Sequence, residues 1–195
     1  NPSLATEPWI DLTRQVLVST FRVMPALLAC YLLYRTGHQV RAIMVGHEGR
    51  LRDLVRGAAL AAGVGTVGVA FYVLTRELDI NLTVVAADLP DVWWRYPLLV
   101  LSALSNAVLE EVVVLGYLLT RLDQLGISRR GGILISALLR GSYHLYQGIG
   151  GFLGNAAMGL LFGWLYTRWG RVAPFVITHT LLDIGAFVGY ALLAD

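Results

Sequence analysis

The sequence contains six long apolar runs, and these runs restrict the possible fold more than any other feature. A hydrocarbon core about 30 Å thick is spanned by about 20 apolar residues in a helix. The runs cover residues 16–34, 54–74, 96–122, 131–147, 152–169 and 172–193. Charged residues make up 14% of the chain, against about a quarter in an ordinary soluble domain. The sequence therefore predicts an all-α fold, a polytopic membrane helix bundle of about six transmembrane helices, in one integral membrane domain over residues 1–195.

The charge of the predicted loops alternates along the chain. Arginines concentrate in the loops after the first, third and fifth runs, and carboxylates concentrate in the loop after the second. The arginines are Arg35, Arg41, Arg50, Arg52, Arg56, Arg121, Arg129, Arg130, Arg168 and Arg171, and the carboxylates are Glu77, Asp79, Asp88 and Asp91. Arginine-rich loops remain on the cytoplasmic side of a membrane. We therefore expect a protein of the bacterial inner membrane, with its arginine-rich loops in the cytoplasm and both termini outside.

Two further features bear on the packing of the bundle. The basic segment 38–56 contains scattered apolar residues, so it is either an amphipathic helix along the cytoplasmic interface or a solvated loop. Small residues at four-residue spacing let helices approach closely. They occur in the second and fifth runs, as Gly57, Ala61, Gly65, Gly159 and Gly163. This spacing predicts close helix contacts and indicates nothing about a chemical function.

Charge and composition argue against a nucleic-acid partner and exclude a disulfide within the chain. The net charge is +2 and is spread along the chain, so no basic stripe indicates a nucleic-acid partner. The single cysteine, Cys30, lies in an apolar run, so no disulfide can form within the chain. The lipid bilayer is the partner that the sequence itself indicates.

Polar and charged side chains interrupt three of the apolar runs near mid-span. They are Asn106, Glu110 and Glu111 in the third run, Arg140 and His144 in the fourth, and His179 and Asp183 in the sixth. A charge at mid-membrane costs at least about 2.5 kcal/mol on insertion scales, so each of them needs a reason. Residues four apart share a helix face, and each of the three helices carries such a pair. Because the polar groups lie at similar depths, we expect one site to collect all of them.

A pair of carboxylates with two imidazoles suits more than one kind of chemistry. A glutamate can take a proton from water, while imidazoles hold the water or a developing oxyanion. Glu110, His144 and His179 are also suitable ligands for a divalent metal such as zinc, although no cofactor is certain from the sequence. Asp183 can orient the ring of His179, and Arg140 fits a counter-ion better than a catalyst. Any one of these residues alone is often a structural hydrogen-bonding group between helices.

Three short motifs resemble those of the CPBP family, the CAAX protease and bacteriocin-processing (Abi) membrane proteins. Glu110-Glu111 followed by Gly116 resembles the motif E-E-x-x-x-R-G, and His144 resembles the histidine of F-x-x-x-H. His179 with Asp183 matches H-x-x-x-N/D. The resemblance covers about residues 99–192. It implies an all-helical intramembrane endopeptidase that hydrolyses a peptide bond in a peptide or protein tail.

The resemblance also implies a role for each motif residue. Glu110 would activate water and Glu111 would support it, while His144 and His179 would bind the water, the oxyanion or a metal. Asp183 would assist His179. A glutamate-type protease and a metalloprotease both remain open. A catalytically altered membrane scaffold, regulator or immunity protein of the same fold is the alternative. A small ion or proton transporter is a third interpretation, but the sequence shows no inverted repeat to support it.

The sequence departs from the family pattern at two positions. Leu115 stands where the family has arginine, and Arg140 stands where it has phenylalanine. Loss of one partner of a buried ion pair costs about 3–5 kcal/mol, so buried charges are seldom left unpaired. We therefore expect Arg140 to reach across from the fourth run to Glu111 or Glu110. The same departure is the observation that favours the non-enzymatic alternative.

Overall fold

The computed structural model describes residues 7–46, 49–82 and 92–194, with side chains up to residue 189. The α-helices are α1 (Pro8–Arg35), α2 (Val40–Val45), α3 (Arg50–Glu77), α4 (Arg95–Glu111), α5 (Leu119–Gln124), α6 (Arg129–Tyr143), α7 (Ile149–Trp169) and α8 (Ala173–Ala194). A π-helical segment (Val112–Leu118) joins α4 to α5, and a 3₁₀ turn (Leu145–Gln147) follows α6. No β-strand occurs in these ranges, which confirms the all-α prediction. The predicted loop carboxylates Asp88 and Asp91 lie outside the described residues.

The long helices confirm a helical membrane bundle. Four are long and apolar enough to cross a membrane: Pro8–Arg35, Arg50–Glu77, Arg95–Gln124 and Ile149–Trp169. They contain the first, second, third and fifth predicted runs. The sixth run corresponds to α8, whose described apolar part is shorter, and the fourth corresponds to α6. Helix α6 has 15 residues and ends at Tyr143, before the predicted end at residue 147.

The basic segment 38–56 folds back onto the bundle. It contains α2, the loop that follows it and the first turns of α3. Ile43 and Met44 of α2 pack on a buried cluster that includes Val112 and Val172. The backbone N–H of Val172 also donates to the Ile43 carbonyl at 2.9 Å. Ile43 and Met44 of α2 therefore contact the protein itself.

Glycines allow close contact in two helix pairs, each of which includes one helix that carries predicted site residues. A Cβ on Gly57 would lie 2.5 Å from Cγ2 of Ile177, and the Gly57 carbonyl accepts a hydrogen bond from Thr178 at 3.1 Å. A Cβ on Gly159 would lie 2.8 Å from Cα of Ala137. Helix α3 therefore packs closely on α8, and α7 packs closely on α6, as the small-residue spacing predicts.

A buried ion pair fixes the start of α8 at the end of the bundle opposite the α6–α7 turn. Nε of Arg171 lies 2.9 Å from Oδ1 of Asp53 in the first turn of α3, and both side chains are almost fully buried. Gly46 has φ +59°, and a Cβ there would lie 3.0 Å from Cδ of Arg171. Gly46, the residue directly after α2, thus lies against this ion pair.

The π-helical segment begins directly after Glu111. Such segments have i→i+5 hydrogen bonds, are rare, and often occur at functional sites. Leu115, which stands where the family motif has arginine, is fully buried in an apolar cluster with Phe162 and Phe175. The position that would carry a charge in the family pattern is therefore part of the hydrophobic core.

Candidate active site

Three helices bring the predicted site residues together in one cluster. Glu110 and Glu111 lie at the end of α4, Arg140 lies in the last turn of α6 with His144 directly after that helix, and His179 lies in the second turn of α8. Exposure is 0% for Glu111 and Arg140 and 4% for His179, so the centre of the cluster is shielded from the surroundings. The expected convergence of three helices is present.

Glu111 is the centre of the buried part of the cluster. Nη2 of Arg140 donates to both of its carboxylate oxygens at 2.7 Å, and Nδ1 of His179 donates to Oε1 at 2.6 Å. The predicted pair between α6 and α4 therefore forms. The Arg140 guanidinium also lies 5.5 Å from the ring centroid of Phe162. A Cβ on Gly159 would lie 3.4 Å from Cδ of Arg140, so that glycine leaves room for the arginine stem.

Glu110 has a different environment, because its side chain is 13% exposed. The Tyr143 hydroxyl donates to Oε2 at 2.7 Å, and the Asn106 amide donates to Oε1 at 3.2 Å. Nη1 of Arg140 lies 3.8 Å from Oε2. The Asn106 amide also donates to Oδ2 of Asp183 at 3.1 Å, which connects α4 to α8. Glu110 is therefore the accessible carboxylate of the pair, and it is oriented by two neutral donors.

The two histidines differ in which nitrogen is available. Nδ1 of His144 lies 2.9 Å from the Arg140 carbonyl. A carbonyl can only accept, so this Nδ1 carries the hydrogen, and in the neutral ring Nε2 keeps its lone pair. For His179, Nδ1 faces Glu111 and Nε2 lies 3.5 Å from Oδ1 of Asp183. His144 thus offers a nitrogen to water or substrate, whereas His179 links two carboxylates.

The cluster offers ligand groups for a metal ion, but a guanidinium lies beside them. Among the described residues, Glu110, Glu111 and His179 offer ligand atoms within 4.8 Å of one another. The predicted set had His144 in place of Glu111, and the bond from Nδ1 of His144 to the Arg140 carbonyl leaves Nε2 as the nitrogen that could bind an ion. The Arg140 guanidinium lies 2.7 Å from one glutamate and 3.8 Å from the other, and it would repel a divalent cation placed between them.

Tyr143 was not among the predicted site residues. Its hydroxyl contacts Glu110, and its ring centroid lies 4.7 Å from that of His144. The only signal in the sequence is its place directly before His144. A tyrosine at the end of a membrane helix is also typical of an interface anchor, so the sequence alone does not separate the two roles.

Comparison with known proteins gives one match. The family model for "Type II CAAX prenyl endopeptidase Rce1-like" matches residues 92–185. The matched range includes every predicted site residue, namely Asn106, Glu110, Glu111, Arg140, His144, His179 and Asp183. No curated protein and no solved structure matches the chain at a significant level.

Proposed function

We propose that this chain, whose residues 92–185 match the family model of Rce1-like type II CAAX prenyl endopeptidases, hydrolyses a peptide bond with water activated by Glu110. One observation carries the proposal. Glu110 is the accessible carboxylate of the pair, and it lies in the same cluster as a histidine whose Nε2 lone pair is available. The substrate class that follows from the family is a peptide or protein tail at the membrane.

In the proposed reaction Glu110 takes a proton from a water molecule that donates a hydrogen bond to Nε2 of His144. The resulting hydroxide forms a bond to the carbonyl carbon of the peptide, and the π electron pair of that carbonyl moves to its oxygen. The tetrahedral intermediate then collapses and the carbon–nitrogen bond breaks. Glu110 returns its proton to the leaving amine, so water is added across the bond and the carboxylate is regenerated.

The buried half of the cluster supports this step. Both oxygens of Glu111 are held by Arg140 and His179, so Glu111 is less suited than Glu110 to act as the base. Arg140 neutralises Glu111, and its Nη1 lies 3.8 Å from Oε2 of Glu110, so positive charge lies close to the site where the substrate oxyanion would form. Because Arg140 supplies the guanidinium that is missing at Leu115, the altered motif no longer favours the non-enzymatic alternative.

The test uses the full chain in proteoliposomes with a farnesylated peptide ending in a CAAX sequence, and products are identified by mass spectrometry. Glu110→Gln and His144→Ala should each lower the cleavage rate by about 100-fold or more, with little change in unfolding temperature. Glu77→Gln is the matched control, because Glu77 is exposed at the end of α3. Full cleavage by both site variants would reject the proposal and favour the scaffold, regulator or immunity role.

We also propose that the arginine-rich loops face the cytoplasm of a bacterial inner membrane. Arg129 at the start of α6 and Arg171 before α8 support one orientation, because both helices start at the same end of the bundle. A cysteine introduced as Arg130→Cys in a Cys30→Ser background should be labelled by a membrane-impermeant maleimide only in inverted vesicles. Labelling of intact spheroplasts would give the opposite orientation.

A further inference from the structure

We propose that Tyr143 is a positioning residue for the reaction, acting through Glu110. This inference rests on the proposed function. The Tyr143 hydroxyl donates to Oε2 of Glu110 at 2.7 Å, from the last residue of α6 to the end of α4. None of the three family motifs specifies this tyrosine, which occupies an unspecified position of F-x-x-x-H.

The contact limits the freedom of the glutamate carboxylate. Tyr143 donates to one oxygen of Glu110 and Asn106 donates to the other, so the plane of the carboxylate is fixed from two helices. Each oxygen keeps a further lone pair for a water proton, because a carboxylate has about four acceptor sites. A glutamate on its own has several rotatable bonds, and ordering it costs side-chain entropy. The tyrosine removes that cost before substrate binds.

Tyr143 also links the position of the proposed base, Glu110, to that of His144, which would hold the water. His144 follows it directly, and the two ring centroids lie 4.7 Å apart. Nδ1 of His144 is fixed by the Arg140 carbonyl one turn earlier. The end of α6 therefore sets the position of both Glu110 and the Nε2 of His144. A misplacement of reacting groups by about 1 Å costs about 100-fold in rate, so such fixing is worth a measurable factor.

Tyr146 provides a matched comparison within the same turn. Its ring centroid lies 6.1 Å from that of His144, and its side chain is 72% exposed. Its hydroxyl accepts a hydrogen bond from the Gln147 amide at 2.9 Å. The ring of each tyrosine thus lies close to the ring of His144. Of the two hydroxyls, the one on Tyr143 has a described hydrogen bond to a carboxylate. Removing each hydroxyl in turn separates the carboxylate contact from the general effect of an aromatic ring near the site.

The first measurement compares Tyr143→Phe with Tyr146→Phe in proteoliposomes, with the farnesylated CAAX peptide as probe. Tyr143→Phe should lower kcat by about 10- to 100-fold, the value of one hydrogen bond to a charged group, and should leave KM within about twofold. Tyr146→Phe should leave both constants unchanged. An unchanged kcat in Tyr143→Phe, or equal losses in the two variants, would overturn the proposal.

The second measurement does not depend on activity. An infrared difference spectrum between the wild-type chain and Tyr143→Phe should show a shift of a carboxylate stretching band, because one oxygen of Glu110 loses its donor. The band should disappear when the same comparison is made in a Glu110→Gln background. A band that persists in that background, or no band at all, would contradict the contact. Cleavage retained by Glu110→Gln would instead reject the proposed function and leave the infrared result standing.

Discussion

Replacing Arg140 by methionine should destabilise the bundle by about 3 kcal/mol. Removing one partner of a buried ion pair costs about 3–5 kcal/mol, because the other charge remains buried without compensation. Arg140 and Glu111 are both 0% exposed, so water cannot replace the lost guanidinium. His179 still donates to Glu111 at 2.6 Å, which places the expected cost at the lower end of that range.

The assay is thermal unfolding of the purified chain in detergent micelles. For a chain of this size, about 3 kcal/mol corresponds to a fall in Tm of about 6–12 °C. The double variant with Arg140→Met and Glu111→Gln removes the unpaired charge and should regain more than half of the loss. Arg22→Met is the control, because Arg22 donates to the Ser102 hydroxyl at 2.9 Å between α1 and α4 and has no described carboxylate partner.

Two results would refute this reasoning. If Arg140→Met and Arg22→Met lowered Tm equally, burial of an unpaired carboxylate would not be the cause. If the double variant were no more stable than Arg140→Met, the loss would come from the packing of the arginine stem against Phe162 and Gly159, and not from charge.

Three further outcomes follow from the contacts described above. Gly159→Ala places a Cβ 2.8 Å from Cα of Ala137 and should lower the free energy of unfolding by about 1–3 kcal/mol in thermal unfolding. The control Gly185→Ala, whose Cβ would have nothing within 4 Å, should cost far less. Equal losses in the two variants would show that α6 and α7 can move apart. Asp53→Asn weakens the buried pair with Arg171 and should lower stability by roughly 3 kcal/mol in the same assay, and an unchanged Tm would contradict that role. Treatment with EDTA should leave the rate of peptide cleavage unchanged, because the Arg140 guanidinium already lies beside both glutamates. Loss of activity that zinc alone restores would show instead that the reaction needs a metal ion.

The apolar runs located the long helices because hydropathy and length are local properties of the chain. The helix ends depend on more than hydropathy. Helix α1 begins at Pro8, well before the predicted run at residue 16. Its first turns carry the charged residues Asp11 and Arg14, which interrupt an apolar run but do not end a helix. The π-helical segment Val112–Leu118 has no local signal, since its valine run is equally compatible with an α-helix.

Spacing and charge predicted much of the candidate site. The four-residue intervals placed Asn106 with Glu110 on one face, and the unpaired arginine in mid-span predicted the contact with Glu111. The difference in exposure between the two glutamates was not predictable from spacing. It depends on how α4 and α6 are rotated about their axes, which also decides that Tyr143 reaches Glu110 and that Nδ1 of His144 faces a carbonyl.

The shortness of α6 has a consequence for the lipid around it. Its 15 residues, at about 1.5 Å each, extend about 22 Å, while the hydrocarbon layer is about 30 Å thick. A bilayer adapts to a short segment by thinning or by letting its headgroups descend. Tyr143 and His144 lie at the end of α6, so we expect such a depression beside Glu110. The proposed peptide hydrolysis consumes one water molecule per turnover, and a dimple in the lipid would deliver it without a pore through the bundle.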